Sequence, residues 1–320
     1  MDGEDLELFE RSLRHATDTS SGDALDEALD ELGWPEALAD DRRAAVSTLF
    51  ELQGAANATS SALAHVLTSA LGLASEPSTG LVLPTVGEWA PPGSIDGSSL
   101  DVTGLAPGRL ARREAALVVA RTDGKDVAVS VPTSALTLEA VEGVDPSLGR
   151  VRVTGTGIRI DAEPDVVTGS WSGAVSLGRI AVGHELVGAS RRMLELACEH
   201  ALERVQFGQT ISSFQAVRHR LAETLVAVEM AGAVLDAAWL DGRPDTAAMA
   251  KAVAGRQART AARHCQQVLA GIGFTTEHPL HLFVRRTLVL DGLLGTSTSL
   301  TRTLGDEMIA SRRLPPLLPL

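Results

Sequence analysis

The chain has 320 residues, enough for one large domain or two or three small ones, and its 44% hydrophobic content supports a substantial core. Lysine and arginine number 28 against 41 aspartates and glutamates, and the resulting net charge of −13 disfavours nucleic acid and anionic membranes as partners. Aromatic residues make up only 3% of the chain and tyrosine is absent, which suits helices that pack closely on alanine and leucine.

Cysteine usage and the N-terminus predict a cytoplasmic protein. Cys198 and Cys265 lie in helical patterns without the spacing of metal ligands, so both are predicted to be reduced core residues and no metal is expected. The first residues are acidic, unlike a signal or transit peptide. Apolar runs are short or interrupted by charge, so no membrane span is expected.

Residues 1–78 are predicted to form an N-terminal helical domain, because apolar residues recur at intervals of three and four. Ser21 or Asp23 is a plausible N-cap for the second helix, and Gly54 marks a break in the third. The predicted helices cover Asp5–His15, Asp23–Leu32 and Asp40–Leu71. Val46, Phe50, Leu63, Val66 and Leu67 are expected to face inward.

Residues 79–172 change to an alternating pattern rich in valine, glycine, proline and threonine, which predicts a small antiparallel β domain. The run from Trp89 to Ser94 is predicted to be a loop. The predicted strands are Leu81–Pro84, Glu114–Arg121, Lys125–Pro132, Leu136–Val141, Arg150–Thr154 and Gly157–Asp161.

Residues 173–320 return to helical periodicity and are predicted to form a four-helix bundle. Pro244 is placed to start one of these helices, and Gly292 and Gly295 indicate an irregularity in the last. The predicted helices are Gly173–Arg204, Phe214–Leu240, Asp245–Leu269 and Leu280–Arg312.

The motif that carries most chemical information follows the first bundle helix and reads Arg204-Val-Gln-Phe-Gly-Gln-Thr-Ile-Ser-Ser-Phe-Gln215. Gly208 ends the helical pattern, so Arg204 lies at a corner between two helices, where an arginine beside backbone N–H groups can bind a phosphate through two hydrogen bonds. The alternative is that Arg204 stabilises the helix end and pairs with Glu203 or Glu223.

Two later segments have the order and spacing of known relatives. They are Gln267-Val-Leu-Ala-Gly-Ile-Gly-Phe274 and, after Arg285, Leu293-Leu-Gly-Thr-Ser-Thr298. Together with the Arg204 motif they resemble the C-terminal domain of the acyl-CoA dehydrogenase family, which carries R-x-x-F-G, Q-x-x-G-G and E-G-T blocks in this order. The resemblance is specific over residues 174–312, weaker over 1–75 and poor over 80–170.

The resemblance implies a mainly α fold with a small central β domain, and FAD as a cofactor shared across a dimer. In the family, the R-x-x-F-G and Q-x-x-G-G blocks reach the FAD of the neighbouring subunit. By that resemblance the FAD-binding residues are Arg204, Gln206, Phe207, Phe214, Gln215, Gln267, Val268, Leu269, Ala270 and Gly271. Ala270 replaces the usual first glycine of its turn, and Arg286 stands where an aspartate is common.

The family's catalytic base has no counterpart in this chain. Family enzymes remove a proton from the acyl α carbon with a glutamate, while FAD accepts a hydride from the β carbon. Leu294 occupies the usual base position and Gly178 the position used by another branch, and neither can accept a proton. Asp291 and Glu185 lie nearby but are as readily explained as solvated or paired carboxylates.

The flavin-ring cradle is also missing from the sequence. The stretch Glu76-Pro-Ser-Thr79 faintly resembles the family's T-E-P motif, but it precedes the β pattern and lacks the Gly-Ser that follows. No counterpart of the family's later tryptophan strand is present.

These features predict the non-catalytic subunit of a heteromeric acyl-CoA dehydrogenase, inactive alone, that donates the adenine and pyrophosphate half of the FAD site to a longer catalytic partner. The expected assembly has two copies of each subunit, with the acyl-CoA bound mainly by the partner. The short chain looks like partner subunits of steroid side-chain-degrading actinobacterial enzymes, a link by analogy. Two alternatives stay open: a self-sufficient dehydrogenase with an unusual base, and a flavin-free scaffold.

Overall fold

The computed structural model describes residues 3–73, 79–160, 165–167 and 169–314. Within these residues a helical region, a β domain and a helical bundle follow one another along the chain, and this confirms the predicted fold class. Glu76 and Pro77 lie outside the described residues. None of the described helices combines the length and apolarity needed to cross a bilayer.

The N-terminal region contains five described helices, α1 (Gly3–Thr19), α2 (Asp23–Glu31), α3 (Trp34–Asp40), α4 (Arg42–Ala56) and α5 (Ala62–Leu71). The sequence predicts no separate helix over α3, although a proline in its first turn is a recognised start signal. The predicted side-chain cap of α2 is wrong: Gly22 is the N-cap, and the Ser21 hydroxyl accepts a hydrogen bond from the Thr59 amide instead.

The predicted break at Gly54 is also wrong, because α4 continues to Ala56 and ends where Asn57 adopts a left-handed conformation with φ 55°. Gly54 lies buried inside α4. A Cβ on Gly54 would overlap the Glu185 carbonyl, and one on Gly188 would overlap the Glu51 carbonyl. The two glycines therefore let α4 cross the first bundle helix, α6 (Trp171–Glu203), with their backbones in contact.

The β domain is a mixed sheet with strand order β6-β7-β3-β2-β4-β5-β8, and β1 pairs with β4 outside this path. Its strands are β1 (Thr79–Leu81), β2 (Gly93–Asp96), β3 (Ser99–Pro107), β4 (Ala115–Thr122), β5 (Lys125–Pro132), β6 (Thr137–Ala140), β7 (Arg150–Arg159) and β8 (Asp165–Val166). The prediction of a purely antiparallel sheet is wrong, since β1 and β2 both run parallel to β4.

The strand predictions fail mainly around glycine and proline. The predicted loop from Trp89 to Ser94 is wrong at its end, because β2 begins at Gly93, directly after Pro91 and Pro92, and no strand is predicted over β3. The two predicted strands at Arg150–Thr154 and Gly157–Asp161 are one strand, β7, whose pairing with β3 shifts register between Leu100 and Val102. Gly157, with φ 66°, lies in that shift, so the glycine marks a bulge and not a strand end. Asp161 lies outside the described residues.

The bundle consists of α6, α7 (Gln215–Asp241), α8 (Pro244–Leu269), α9 (Leu280–Gly292) and α10 (Ser297–Ser311). The first three helices agree with prediction within two residues at each end. The predicted last helix is two helices, because Leu294 and Gly295 adopt φ 56° and 102° and turn the chain. The Thr296 hydroxyl then accepts a hydrogen bond from the Ser299 amide and caps α10.

The helix α6 lies at the centre of the molecule. Its first half is buried on every side over residues 174–190, between α4 and α5 on the N-terminal side and α7, α8 and α9 within the bundle. The residues expected to face inward, Val46, Phe50, Leu63, Val66 and Leu67, are all buried in this core. The turn between α9 and α10 packs against the same half of α6.

Candidate functional site

The corner after α6 is built by a tight hairpin. The helix ends at Glu203, and two short strands, β9 (Val205–Gln206) and β10 (Gln209–Thr210), pair across a turn at Phe207 and Gly208. Phe207 has φ 53° and Gly208 φ 79°. The Ile211 amide donates to the Arg204 carbonyl at 2.8 Å and closes the corner.

The Arg204 side chain is exposed and forms no ion pair with any other described residue. The pairing with Glu203 or Glu223 is not observed; Glu223 instead lies 3.5 Å from Arg220 and 4.0 Å from His264. The pKa of His200 is lowered mainly by burial and to a smaller extent by the positive charge of Arg204. Arg204 is thus a free cation suited to an anionic ligand.

Two aromatic side chains follow Arg204 in the same corner of the chain. The Phe207 side chain is 93% exposed, and its ring meets that of Phe214 edge-on at 6.2 Å between centroids. Gln206, whose side-chain amide donates to the Val205 carbonyl, and Gln215, the first residue of α7, are both exposed. An apolar ring left almost fully in solvent beside a free arginine indicates a surface that another molecule covers.

The second predicted segment ends α8 and continues in a short 3-10 turn over Ala270–Phe274. Gln267, Ala270 and Gly271 are exposed, whereas Val268 and Leu269 are buried in the bundle core and can offer a ligand only their backbone. Ala270 has φ 52° and ψ −131°, a conformation that favours glycine. A Cβ on Gly271 would meet no atom within 4 Å, so the backbone here is open to a close approach.

The two segments lie at the same end of the bundle. One apolar cluster contains Ala201 near the end of α6 and Val268 near the end of α8, with Ile211 packed against it. The rings of His200 in α6 and His278, two residues before α9, lie 6.4 Å apart. An exposed arginine, stacking aromatics and open backbone groups form a donor set that fits a nucleotide diphosphate such as the FAD pyrophosphate and adenine.

The two candidate base positions come together in the structure. A Cβ on Gly178 would lie 2.6 Å from Cδ1 of Leu294 and 3.1 Å from Cδ2 of Leu67, with Leu63 next. Leu294 is 2% exposed. Its side chain therefore fills the space above Gly178 with hydrocarbon, and neither position presents a group that can take a proton.

The nearby acids are already paired. Asp291 accepts a hydrogen bond from Arg259 at 2.5 Å and one from the Ser297 amide at 3.1 Å. Glu185 is buried 3.5 Å from Arg286, and burial raises its pKa. Arg286, which replaces the family's common aspartate, also donates to Asp145 at 2.9 Å and to two backbone carbonyls. Both acids are thus parts of structural networks.

Two buried cations that the sequence analysis misses hold the turn between α9 and α10. Arg179 donates to the Leu294 carbonyl at 3.0 Å, and Lys251 donates to the carbonyls of Asp291 at 2.9 Å and Gly295 at 3.2 Å. Burial lowers the pKa of Lys251 to about 8. In the sequence, the signal for these two residues is a single cation inside an otherwise apolar helical run.

Trp89 covers the outer side of the same turn. Its ring lies 5.3 Å from the Arg179 guanidinium carbon, and a Cβ on Gly295 would lie 3.0 Å from it. The Trp171 indole donates to the Trp89 carbonyl at 2.7 Å. Protein side chains therefore pack against the outer side of the turn that carries Leu294.

No cluster of histidine, cysteine and carboxylate side chains suited to a metal occurs among the described residues.

The fold and these turns define a protein of the acyl-CoA dehydrogenase fold class. Over 99% of both chains, the molecule superposes on a chain of the ChsE4–ChsE5 complex from Mycobacterium tuberculosis with a TM-score of 0.79 at 21% identity. It superposes on a variant of the Tcur3481–Tcur3483 steroid ACAD with a TM-score of 0.78 at 21% identity, over 97% of this chain and 99% of that one. Such identities establish a common fold.

The sequence comparisons match the C-terminal region of the chain. Residues 170–309 match the family model of the acyl-CoA dehydrogenase C-terminal domain. Acyl-CoA dehydrogenase IpdE2 from Mycobacterium tuberculosis is 37% identical over 136 residues, which is 42% of this chain and 43% of IpdE2, so the alignment spans less than half of that relative. Residues 170–309 therefore form a domain of the acyl-CoA dehydrogenase C-terminal type, and this confirms the resemblance that the sequence motifs indicated.

Proposed function

We propose that the chain is a non-catalytic subunit of a heteromeric, FAD-dependent acyl-CoA dehydrogenase. In this proposal it supplies Arg204, its aromatic neighbours and the Gln267–Gly271 turn to the adenine and pyrophosphate half of an FAD site whose catalytic half belongs to a longer partner. The observation that carries the proposal is the contact between Leu294 and Gly178, which leaves both base positions filled by hydrocarbon.

The geometry of α6 supports a site shared between chains. Gly178 and Arg204 are 26 positions apart, and 25 of those steps lie within one continuous helix that ends at Glu203. At 1.5 Å per residue they are separated by roughly 39 Å. At this distance Arg204 and the base position of the same chain lie far apart. We therefore infer that Arg204 binds a cofactor whose catalytic end is held by another chain.

The nature of the partner is inferred from the relatives. The two superposed structures are named as assemblies of two different chains, and one is named a steroid ACAD. By analogy we propose a cytoplasmic assembly with two copies of each subunit. The partner binds most of the acyl-CoA substrate, which we propose to be a thioester of a steroid side chain.

FAD, when bound, would accept a hydride from the acyl β carbon. This chain's own residues would hold and orient the far end of the cofactor: Arg204 by paired hydrogen bonds to phosphate, Phe207 and Phe214 by stacking, and Ala270 and Gly271 through the backbone. Gln206, Gln215 and Gln267 are exposed amides that can hydrogen-bond the adenine or ribose. No proton transfer is assigned to this chain.

The direct test is to tag the chain in its native host, purify what accompanies it and measure flavin per copy. About one FAD per chain, together with a longer dehydrogenase-like protein, is the expected result. A yellow complex of this chain alone that bleaches with an acyl-CoA would instead identify a self-sufficient enzyme. A complex that contains a partner but no flavin would favour the scaffold alternative and would exclude the proposed role of Arg204 in FAD binding.

A further inference from the structure

A cavity of about 330 Å³ lies where the N-terminal helices, the β domain and the bundle meet. Its volume is at the lower end of the range for small-molecule sites, roughly 300–1,000 Å³. Its wall includes Gln53, Leu63, Arg109, Arg150, Glu185 and Leu293. Polar and apolar side chains thus face one another across a space that could hold a small metabolite.

Arg150, the first residue of β7, is the unusual member of this wall. Its side chain forms no hydrogen bond or ion pair with any other described residue, and its Nε is buried without a partner. Burial lowers the pKa of Arg150 to about 10, and only the charge of Glu185, with which it makes no hydrogen bond, opposes this. A buried guanidinium N–H group without a hydrogen-bond partner is unfavourable unless a ligand or water completes it.

The other cations around the cavity already have carboxylate partners. Arg109 contacts Asp26, and Arg112 donates to Asp23 at 2.9 Å. Arg286, behind the wall, holds both Asp145 and Glu185. Arg109 keeps one further buried donor, Nη2, without an acceptor. The cavity therefore contains one unpaired guanidinium, and a second, paired arginine offers a spare N–H group.

We propose that this cavity binds a small monocarboxylate with a short apolar body, held by Arg150 and completed by Arg109. One unpaired cation matches one negative charge, whereas a phosphate dianion would bring a second charge towards Glu185 and cost more to desolvate. Leu63, Leu148 and Leu293 supply the apolar wall for the body of the ligand.

The site is independent of the proposed FAD surface. Leu63 and Leu293 connect it to the blocked base position, since Leu63 also packs beside Gly178 and Leu293 precedes Leu294. A bound carboxylate would thus lie next to the blocked base position. Its binding requires neither FAD nor acyl-CoA. Failure of one proposal therefore leaves the other standing.

The test is calorimetric titration of the purified full chain, or of its complex, with sodium butyrate at constant ionic strength. Butyramide serves as the neutral probe and inorganic phosphate as the dianionic one. We expect saturable binding of butyrate and no saturable binding of butyramide or phosphate. In the Arg150→Gln variant, butyrate binding should weaken roughly tenfold to a hundredfold, the loss expected for a charged hydrogen bond.

The matched control is Arg152→Gln, an exposed arginine two residues along the same strand, which should bind butyrate as the wild type does. Arg150→Lys keeps the charge without the planar fork and should bind with intermediate affinity, which provides a test if Arg150→Gln fails to fold. Absence of saturable butyrate binding, equal binding of butyramide, or phosphate binding that depends on Arg150 would each overturn the proposal.

Discussion

At the scale of single residues, Arg204 offers the sharpest test of the shared FAD site. Replacing it by alanine in the assembled complex should weaken FAD binding by about 1.5–3 kcal/mol, the contribution of a hydrogen bond to a charged group. Equilibrium dialysis against free FAD, followed by flavin absorbance, measures this. Arg302→Ala removes another exposed arginine, from α10, and should leave FAD retention unchanged. Equal retention in both variants would reject the assigned role.

Leu294 tests the vacated base position. Leu294→Glu should not produce dehydrogenase activity in this chain, because the side chain enters a space bounded by Gly178, Leu63 and Leu67. A carboxyl group buried there without a partner should destabilise the fold by about 2 kcal/mol or more. Leu294→Met, which conserves volume, should cost less than about 1.5 kcal/mol.

Urea unfolding of the two Leu294 variants, beside an acyl-CoA turnover assay with an artificial electron acceptor, decides the matter. Turnover by the single-chain glutamate variant would show that a flavin ring can reach this turn. If Leu294→Glu is as stable as Leu294→Met, water reaches the side chain at this position, and the tight apolar packing around Leu294 is contradicted.

At the scale of elements, the crossing of α4 and α6 depends on two glycines. Gly188→Ala should destabilise the protein by about 1–3 kcal/mol, because the added methyl group overlaps the Glu51 carbonyl and forces the helices apart. Gly305→Ala, in the middle of α10 with no atom within 4 Å of its new Cβ, should stabilise by up to about 1 kcal/mol through helix propensity. Chemical denaturation compares both with wild type, and effects of the same sign would contradict this interpretation.

The turn between α9 and α10 should give the protein a pH-dependent stability through Lys251. Burial lowers the pKa of this amine from its ordinary value of 10.5 to about 8, so between these two values the unfolded chain binds more protons than the folded one. The contribution of Lys251 to stability should therefore rise as the pH rises through this window. The free energy of unfolding, measured against Lys251→Met from pH 7.5 to 10.5, should show this; parallel curves would exclude it.

The sequence predicts the bundle helices well and the β domain poorly, for physical reasons. Helices α6, α7 and α8 have long apolar patterns that local periodicity reveals. β2 and β3 follow a proline-rich stretch and are held by non-local pairing, including parallel pairing of β2 with β4, which leaves no local signal. The sequence predicts a helix break at Gly54, whereas the structure uses this glycine for a helix crossing against Glu185, more than a hundred residues away.

The site shows the same division. The motifs place Arg204 and Leu294 at their turns because residue identity carries that chemistry. Nothing local in the sequence shows that Arg179 and Lys251 converge on one turn, since their partners lie 115 and 40 positions away. The missing partner of Arg150 has no local signal either, because it depends on the tertiary packing around its side chain.

At the scale of the whole molecule, exposed apolar surface is consistent with the proposed assembly. On one side of α7, Leu225, Val226 and Met230 are 50%, 66% and 42% exposed. Phe274, at the end of the proposed FAD surface, is 73% exposed. Surface of this kind on a bundle is usually covered in an assembly.

We therefore expect the chain expressed alone to be insoluble or to self-associate, and to become well behaved when produced with its partner. Val226→Glu should raise the soluble fraction of the lone chain, because a charge disrupts the apolar side of α7, and it should also weaken co-purification of the partner. Ala310→Glu, an exposed change on α10, is the matched control and should do neither. Light scattering and pull-down yields measure both effects. A lone wild-type chain that is monomeric and unfolds cooperatively would contradict the prediction, because the apolar side of α7 would then be tolerated in solvent without a partner.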